Sequence, residues 1–122
     1  MNRLLNHLLP LLAIIGLVAQ ALAASPLHPL EAYKMQARSL DPQTIEVVFD
    51  IHEDYYLYKA NFRFKSNVPE VVFGTPDLPP GKAKHDEFFG DVEIYRDELR
   101  FRLPVQAGAT PAFQLTVVAQ GC

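Results

Sequence analysis

A single cysteine, Cys122, stands in this chain of 122 residues, so no disulfide can form within the polypeptide. Basic residues come at most in spaced pairs, such as Arg63/Lys65, Lys82/Lys84 and Arg100/Arg102. That leaves no electrostatic footprint for nucleic acid. No glycine loop for phosphate, no serine nucleophile elbow and no metalloprotease helix motif is present. Beyond the first 23 residues nothing is long and apolar enough for a membrane helix, which takes about 20 residues. Repeats, low-complexity segments and convincing amphipathic helices are lacking as well.

What is there begins with an export pattern. Met1 to His7 carries Arg3 and no acid, Leu8 to Val18 is almost unbroken apolar sequence, and Ala21-Leu22-Ala23 supplies a small-x-small cleavage site. This order predicts a signal peptide over residues 1–23, leaving residues 24–122 as one exported domain. The remaining 10 basic and 14 acidic residues give that domain a net charge of −4. An exported thiol meets oxidants and wants a partner. Cys122 is the last residue and Thr116–Gln120 reads as a strand in progress, so the expectation is a domain cut short, with a resolving cysteine downstream.

The patterning is that of strands. Ile45, Val47, Phe49 and Ile51 alternate with polar positions, Val48 being the exception. Leu99, Phe101, Leu103 and Val105 alternate with Arg100, Arg102 and Gln106, and Pro104 within that run suggests an edge or a bulge. Phe113, Leu115, Val117 and Ala119 alternate in the same way, as do Phe62 and Phe64. Glu31–Leu40 also suits a helix, but the turn signal Asp41-Pro42-Gln43 before a clear strand favours a strand. Tyr55–Tyr58 has strand-prone aromatic character. Val71-Val72-Phe73 is short and apolar, and Thr75–Lys84 reads as a long loop. Many short strands with abundant turn residues imply an antiparallel β-sandwich. The expected core includes Ile45, Val47, Phe49, Phe101, Leu103, Leu115 and Val117.

The loop delivers His85-Asp86-Glu87-Phe88-Phe89-Gly90, followed by Glu93-Ile94-Tyr95-Arg96. Together with Tyr55-Tyr56-Leu57-Tyr58 before it and Gln120-Gly121-Cys122 at the end, this resembles the N-terminal periplasmic domain of the thiol:disulfide interchange protein DsbD, from about Pro29 onward. The resemblance implies an immunoglobulin-like sandwich. It also implies that Cys122 is the first of two active cysteines, the second lying a few residues further on. That pair accepts electrons from the C-terminal thioredoxin-like domain of the same protein, itself anchored in the inner membrane. It passes them to periplasmic disulfide isomerases and to thioredoxin-like proteins of cytochrome c maturation, without a cofactor.

Cys122 is the only possible thiol nucleophile, and its reactivity depends on thiolate fraction and access. Read without the resemblance, a lone cysteine after a strand also suits a small buried hydrophobe. The resemblance makes Asp86, Glu87, Phe88, Phe89 and Gly90 a cap loop over the thiol, since an apolar lid limits exchange with passing thiolates. Asp86 and Glu87 would set negative charge beside the sulfur and oppose its ionisation; by spacing alone they are also solvated loop acids. Tyr56 and Tyr58 share one side of a strand and in the family sit beside the cysteine pair. His52-Glu53-Asp54 and His85-Asp86-Glu87 invite a metal, but adjacent residues on an extended chain diverge, so no metal site is expected. The alternatives to an exchange module are a β-sandwich that binds an exported partner through its aromatic loop, or a metal-handling protein.

Overall fold

In the computed structural model, which describes residues 25–122, the alternating runs become strands where the pattern places them. The signal segment expected over residues 1–23 lies outside the described residues. The elements are a helical turn α1 (Pro29–Ala32), then β1 (Tyr33–Asp41), β2 (Thr44–Ile51), β3 (Leu57–Tyr58), a 3-10 turn (Lys59–Asn61) and β4 (Arg63–Ser66). There follow β5 (Val72–Phe73), β6 (Lys82–Asp86), β7 (Gly90–Tyr95), β8 (Glu98–Ala107) and β9 (Leu115–Val118). Every strand ladder among the described residues is antiparallel.

One layer is the sheet β1-β2-β8-β5, and facing it are the pair β4-β9 and the sheet β3-β7-β6. Period-two alternation turns Ile45, Val47, Phe49 and Ile51 of β2 inward beside Leu99, Phe101, Leu103 and Val105 of β8. Phe62 and Phe64 close over them, with ring centroids 5.7 and 5.8 Å from Phe101. Val47 and Leu103 are wholly buried, and such side chains contribute about 1.5–3 kcal/mol each. The result is an immunoglobulin-like antiparallel β-sandwich.

Five expectations need correction. Leu115 and Val117 are only half-buried, packed against the core from its rim, because among the described residues β9 pairs with β4 alone. Pro104 is on neither an edge strand nor a bulge of the β2 ladder; β8 is flanked by β2 and β5. Its neighbour Val105 donates toward β2, to the Gln43 carbonyl at 2.8 Å, while the Pro104 carbonyl accepts from Gly74 at 2.8 Å. The missing N–H therefore points past the end of the two-residue β5, where the β5–β8 register also shifts. Thr75–Lys84 is not loop throughout, since β6 begins at Lys82 as soon as the prolines end. Strand character in Tyr55–Tyr58 is confined to Leu57–Tyr58. Glu31 and Ala32 close the turn α1, so the strand begins at Tyr33.

Among the described residues β1 pairs only with β2, so it is an edge. Met35, Ala37 and Ser39 lie opposite Phe49, Val47 and Ile45 and share their face, yet all three are exposed. The second layer does not reach that far.

Candidate functional site

The segment after β9 decides where the thiol lies. β9 runs antiparallel to β4, from Ser66↔Leu115 to Arg63↔Val118. Three residues, Lys59–Asn61, are then set aside as the 3-10 turn, and pairing resumes at Leu57↔Gly121. Tyr58 N–H donates to the Gln120 carbonyl at 2.9 Å. Tyr56 and Cys122 exchange reciprocal main-chain bonds of 3.0 Å each. Cys122 is thus fixed directly opposite Tyr56, with its thiol free and its residue exposed.

Asp86-Glu87-Phe88-Phe89-Gly90 is the tip of the β6–β7 hairpin. Asp86 is paired with Gly90, which leaves three residues in the turn. Aspartate is favoured at the first position of such a turn, and the closing residue needs a left-handed backbone. Gly90 supplies it, with φ of 73°. Asp86 Oδ1 accepts from the main-chain N–H groups of Phe88 at 2.7 Å and Phe89 at 3.0 Å. Its Oδ2 accepts from the hydroxyls of Tyr56 at 2.7 Å and Tyr58 at 2.5 Å.

Asp86 is therefore no solvated loop acid; it is 3% exposed, and four donors surround its carboxylate. The hydroxyls of Tyr58 and Tyr56, then the two amides, hold its pKa far below the ordinary carboxylate range, outweighing burial. The tyrosines shift the other way. Tyr56 is raised by its hydrogen bonds to Tyr58 and Asp86, with smaller contributions from burial and from the nearby Cys122 side chain. Burial raises Tyr58 first, and its bond to Asp86 adds to that. Both phenols stay protonated and Asp86 stays ionised.

Tyr56 and Tyr58 form a small core with Ile94, apart from the main one. Their rings meet edge to face at 5.4 Å, and Phe89 meets Tyr58 in the same way at 5.1 Å. Lys84 and Arg96 lie 5.4 and 5.1 Å from the centre of the Tyr56 ring. The fold thus brings Asp86, Tyr56, Tyr58, Phe89 and Cys122 together. Glu87 and Phe88 stand out from the cluster, and Phe88 is 74% exposed. A groove of about 600 Å³ opens beside the tip between Tyr58, Phe89, Asn61, Leu78 and Val92.

The two His-acid clusters come apart as metal ligands. His85 Nδ1 faces Asp91 at 2.9 Å while Asp86 turns to the tyrosines, and His52 Nδ1 meets the Glu53 carbonyl. No three His, Cys, Asp or Glu residues gather among the described residues.

Three contributors escaped the sequence reading: Lys84, Arg96 and above all Tyr33. Tyr33 sat in a segment whose type was ambiguous, and no local pattern connects it to Cys122. The hairpin tip did carry a signal, the aspartate four residues before a glycine.

The family described as thiol:disulfide interchange protein DsbD, N-terminal, matches residues 23–122. DsbD of Ralstonia nicotianae is 40% identical over 124 residues, spanning 100% of this chain and 20% of that protein. DsbD 1 of Pseudomonas aeruginosa is 37% identical over 92 residues, 75% of this chain and 16% of the relative. The chain thus spans a fifth or less of the length of these relatives. The reduced DsbD N-terminal domain of Neisseria meningitidis superposes with a TM-score of 0.70 at 29% identity, covering 85% of this chain and 78% of that one. The same organism's DsbD N-terminal domain in complex with the PilB N-terminal domain gives a TM-score of 0.62 at 30% identity, covering 81% and 76%. With the family model matching residues 23–122 and the fold superposing on solved members, the chain belongs to the family of DsbD N-terminal domains.

Proposed function

We propose that this domain is a periplasmic thiol–disulfide exchange module whose reacting atom is the Cys122 sulfur. The observation that carries the reading is the placement of the chain's one thiol: exposed, opposite Tyr56, beside a cluster tied by Asp86 to an aromatic hairpin tip. The Cys122 thiolate attacks one sulfur of an acceptor disulfide. The acceptor's S–S bond breaks as the new one forms, and its other sulfur leaves with the electron pair and takes up a proton. A second thiol must then attack the Cys122 sulfur to release a fully reduced acceptor. The family resemblance supplies it as a cysteine a few residues further on, which thereby ends in a disulfide with Cys122. With one cysteine alone the reaction stops at the mixed disulfide.

The reducing partner is a thioredoxin-like domain of the same protein. The acceptors are periplasmic disulfide isomerases and thioredoxin-like proteins of cytochrome c maturation. A relative's complex with the PilB N-terminal domain supports a protein partner. Residues 1–23 act as the cleaved export signal, and the family resemblance implies attachment to the inner membrane through further sequence, for which the greater length of the relatives leaves room. Phe88, Phe89 and the groove beside them meet the partner, with the tip of Asp86–Gly90 acting as the cap.

The test is incubation with an oxidised thioredoxin. A mixed disulfide that reductant dissolves and Cys122→Ser abolishes is expected. Failure of the parent chain to form it under conditions where Cys122 alkylates would rule the reading out. The exposed Phe88 favours a second reading, a non-catalytic binding surface. In that case Cys122→Ser would bind a partner as the parent does.

A further inference from the structure

We propose that Tyr33 is a positioning residue for the thiol, bracing the Cys122-bearing segment against Tyr56 from the start of the opposite layer. The inference rests on the reading of Cys122 as the exchanging sulfur. Its evidence is the meeting of three distant parts of the chain at one hydroxyl.

Tyr33 Oη donates toward the main-chain oxygens of Tyr56 at 3.2 Å and of Cys122 at 3.3 Å. These are the two oxygens already engaged in the reciprocal Tyr56–Cys122 pair. One proton is shared over that pair, so the hydroxyl bonds to both strands across which the sulfur is placed. The approach is close. A Cβ built on Gly121 would lie 2.3 Å from Tyr33 Oη and 2.5 Å from Cζ, so ring and segment fit only because residue 121 has no side chain.

The brace is itself held. Tyr33 pairs with Ile51 at the start of β1, and its ring meets Tyr55 edge to face at 5.8 Å. His52 meets Tyr55 in turn at 5.9 Å, and Tyr55 Oη accepts from Leu27 N–H at 2.8 Å. Burial raises the Tyr33 pKa to about 12, with Cys122 contributing, so the donor proton is present across the physiological range. By contrast, residues 120–122 have one strand neighbour among the described residues and three main-chain bonds to it. Such an edge segment opens readily unless tied down. Exchange needs the attacking and leaving sulfurs aligned, so a wandering segment would lose rate with a bulky partner but not with a small reagent.

Tyr33→Phe removes the hydroxyl and little else, and Tyr55→Phe is the control, deleting a neighbouring hydroxyl that holds Leu27 instead. Amide hydrogen exchange at Cys122 and Tyr56 should quicken about two- to tenfold in Tyr33→Phe, the worth of one net hydrogen bond. Val47 should exchange as in the parent. Mixed-disulfide formation with oxidised thioredoxin should slow while alkylation by iodoacetamide does not. Unchanged exchange at Cys122, or equal quickening at Val47, would overturn the brace, the second because it marks a general loss of stability. If the parent forms no mixed disulfide, the functional reading fails and the amide exchange still judges Tyr33.

Discussion

Tyr58 and Asp86, 28 residues apart, meet at 2.5 Å, hydroxyl to carboxylate, in a buried pocket under the hairpin tip. That bond joins β3, which borders the thiol segment, to β6, which leads into the hairpin tip. Tyr58→Phe should cost about 1.5–3 kcal/mol, the range for a hydrogen bond to a charged group. A urea midpoint equal to the parent's would show that the bond contributes nothing net.

Acid should loosen the tip. The folded-state pKa of Asp86 is depressed, so its contribution is complete above the unfolded value of about 3.9 and is lost as pH falls below it. Stability measured between pH 6 and pH 2 should therefore fall more steeply in the parent than in Asp86→Asn. Parallel profiles would mean that the carboxylate is not held ionised by folding.

Phe49 tests the sandwich. It is 5% exposed and lies 6.0 Å from Phe62. Phe49→Ala should cost about 3–5 kcal/mol through lost burial and a residual cavity. Denaturant titration giving less than about 1 kcal/mol would place the side chain outside the core.

The two phenylalanines of the tip should separate. Phe89→Ala loses its packing on Tyr58 and should destabilise by about 0.5–1.5 kcal/mol beyond lost area. Phe88→Ala removes an exposed ring, so the melting temperature should hold within about 2 °C, the shift of a surface change of a few tenths of a kcal/mol. Under the cap reading Phe88→Ala should nevertheless alter the rate of mixed-disulfide formation. Identical rates and identical melting would leave Phe88 without a role at the partner face.

Much of this protein is written locally. Alternation in Thr44–Ile51 and Leu99–Val105 sets which face of β2 and β8 is buried, because a period of two leaves one choice of side. The motifs around Phe88-Phe89, Tyr56/Tyr58 and Cys122 carry the family. What local pattern cannot carry is register between segments far apart in sequence. Asp86 looks like a surface acid until the hairpin turns it onto two tyrosines from β3 and its approach. Leu115 and Val117 alternate as a core strand does, yet with one strand neighbour they reach only the rim. Tyr33 comes to Cys122 solely because a 3-10 turn shifts the last pairing by three residues and Gly121 leaves room for a ring. Side-chain type and spacing decide strands and faces. Which distant groups share a hydrogen bond is decided by how the sheets stack, and that is what sets the surroundings of this thiol.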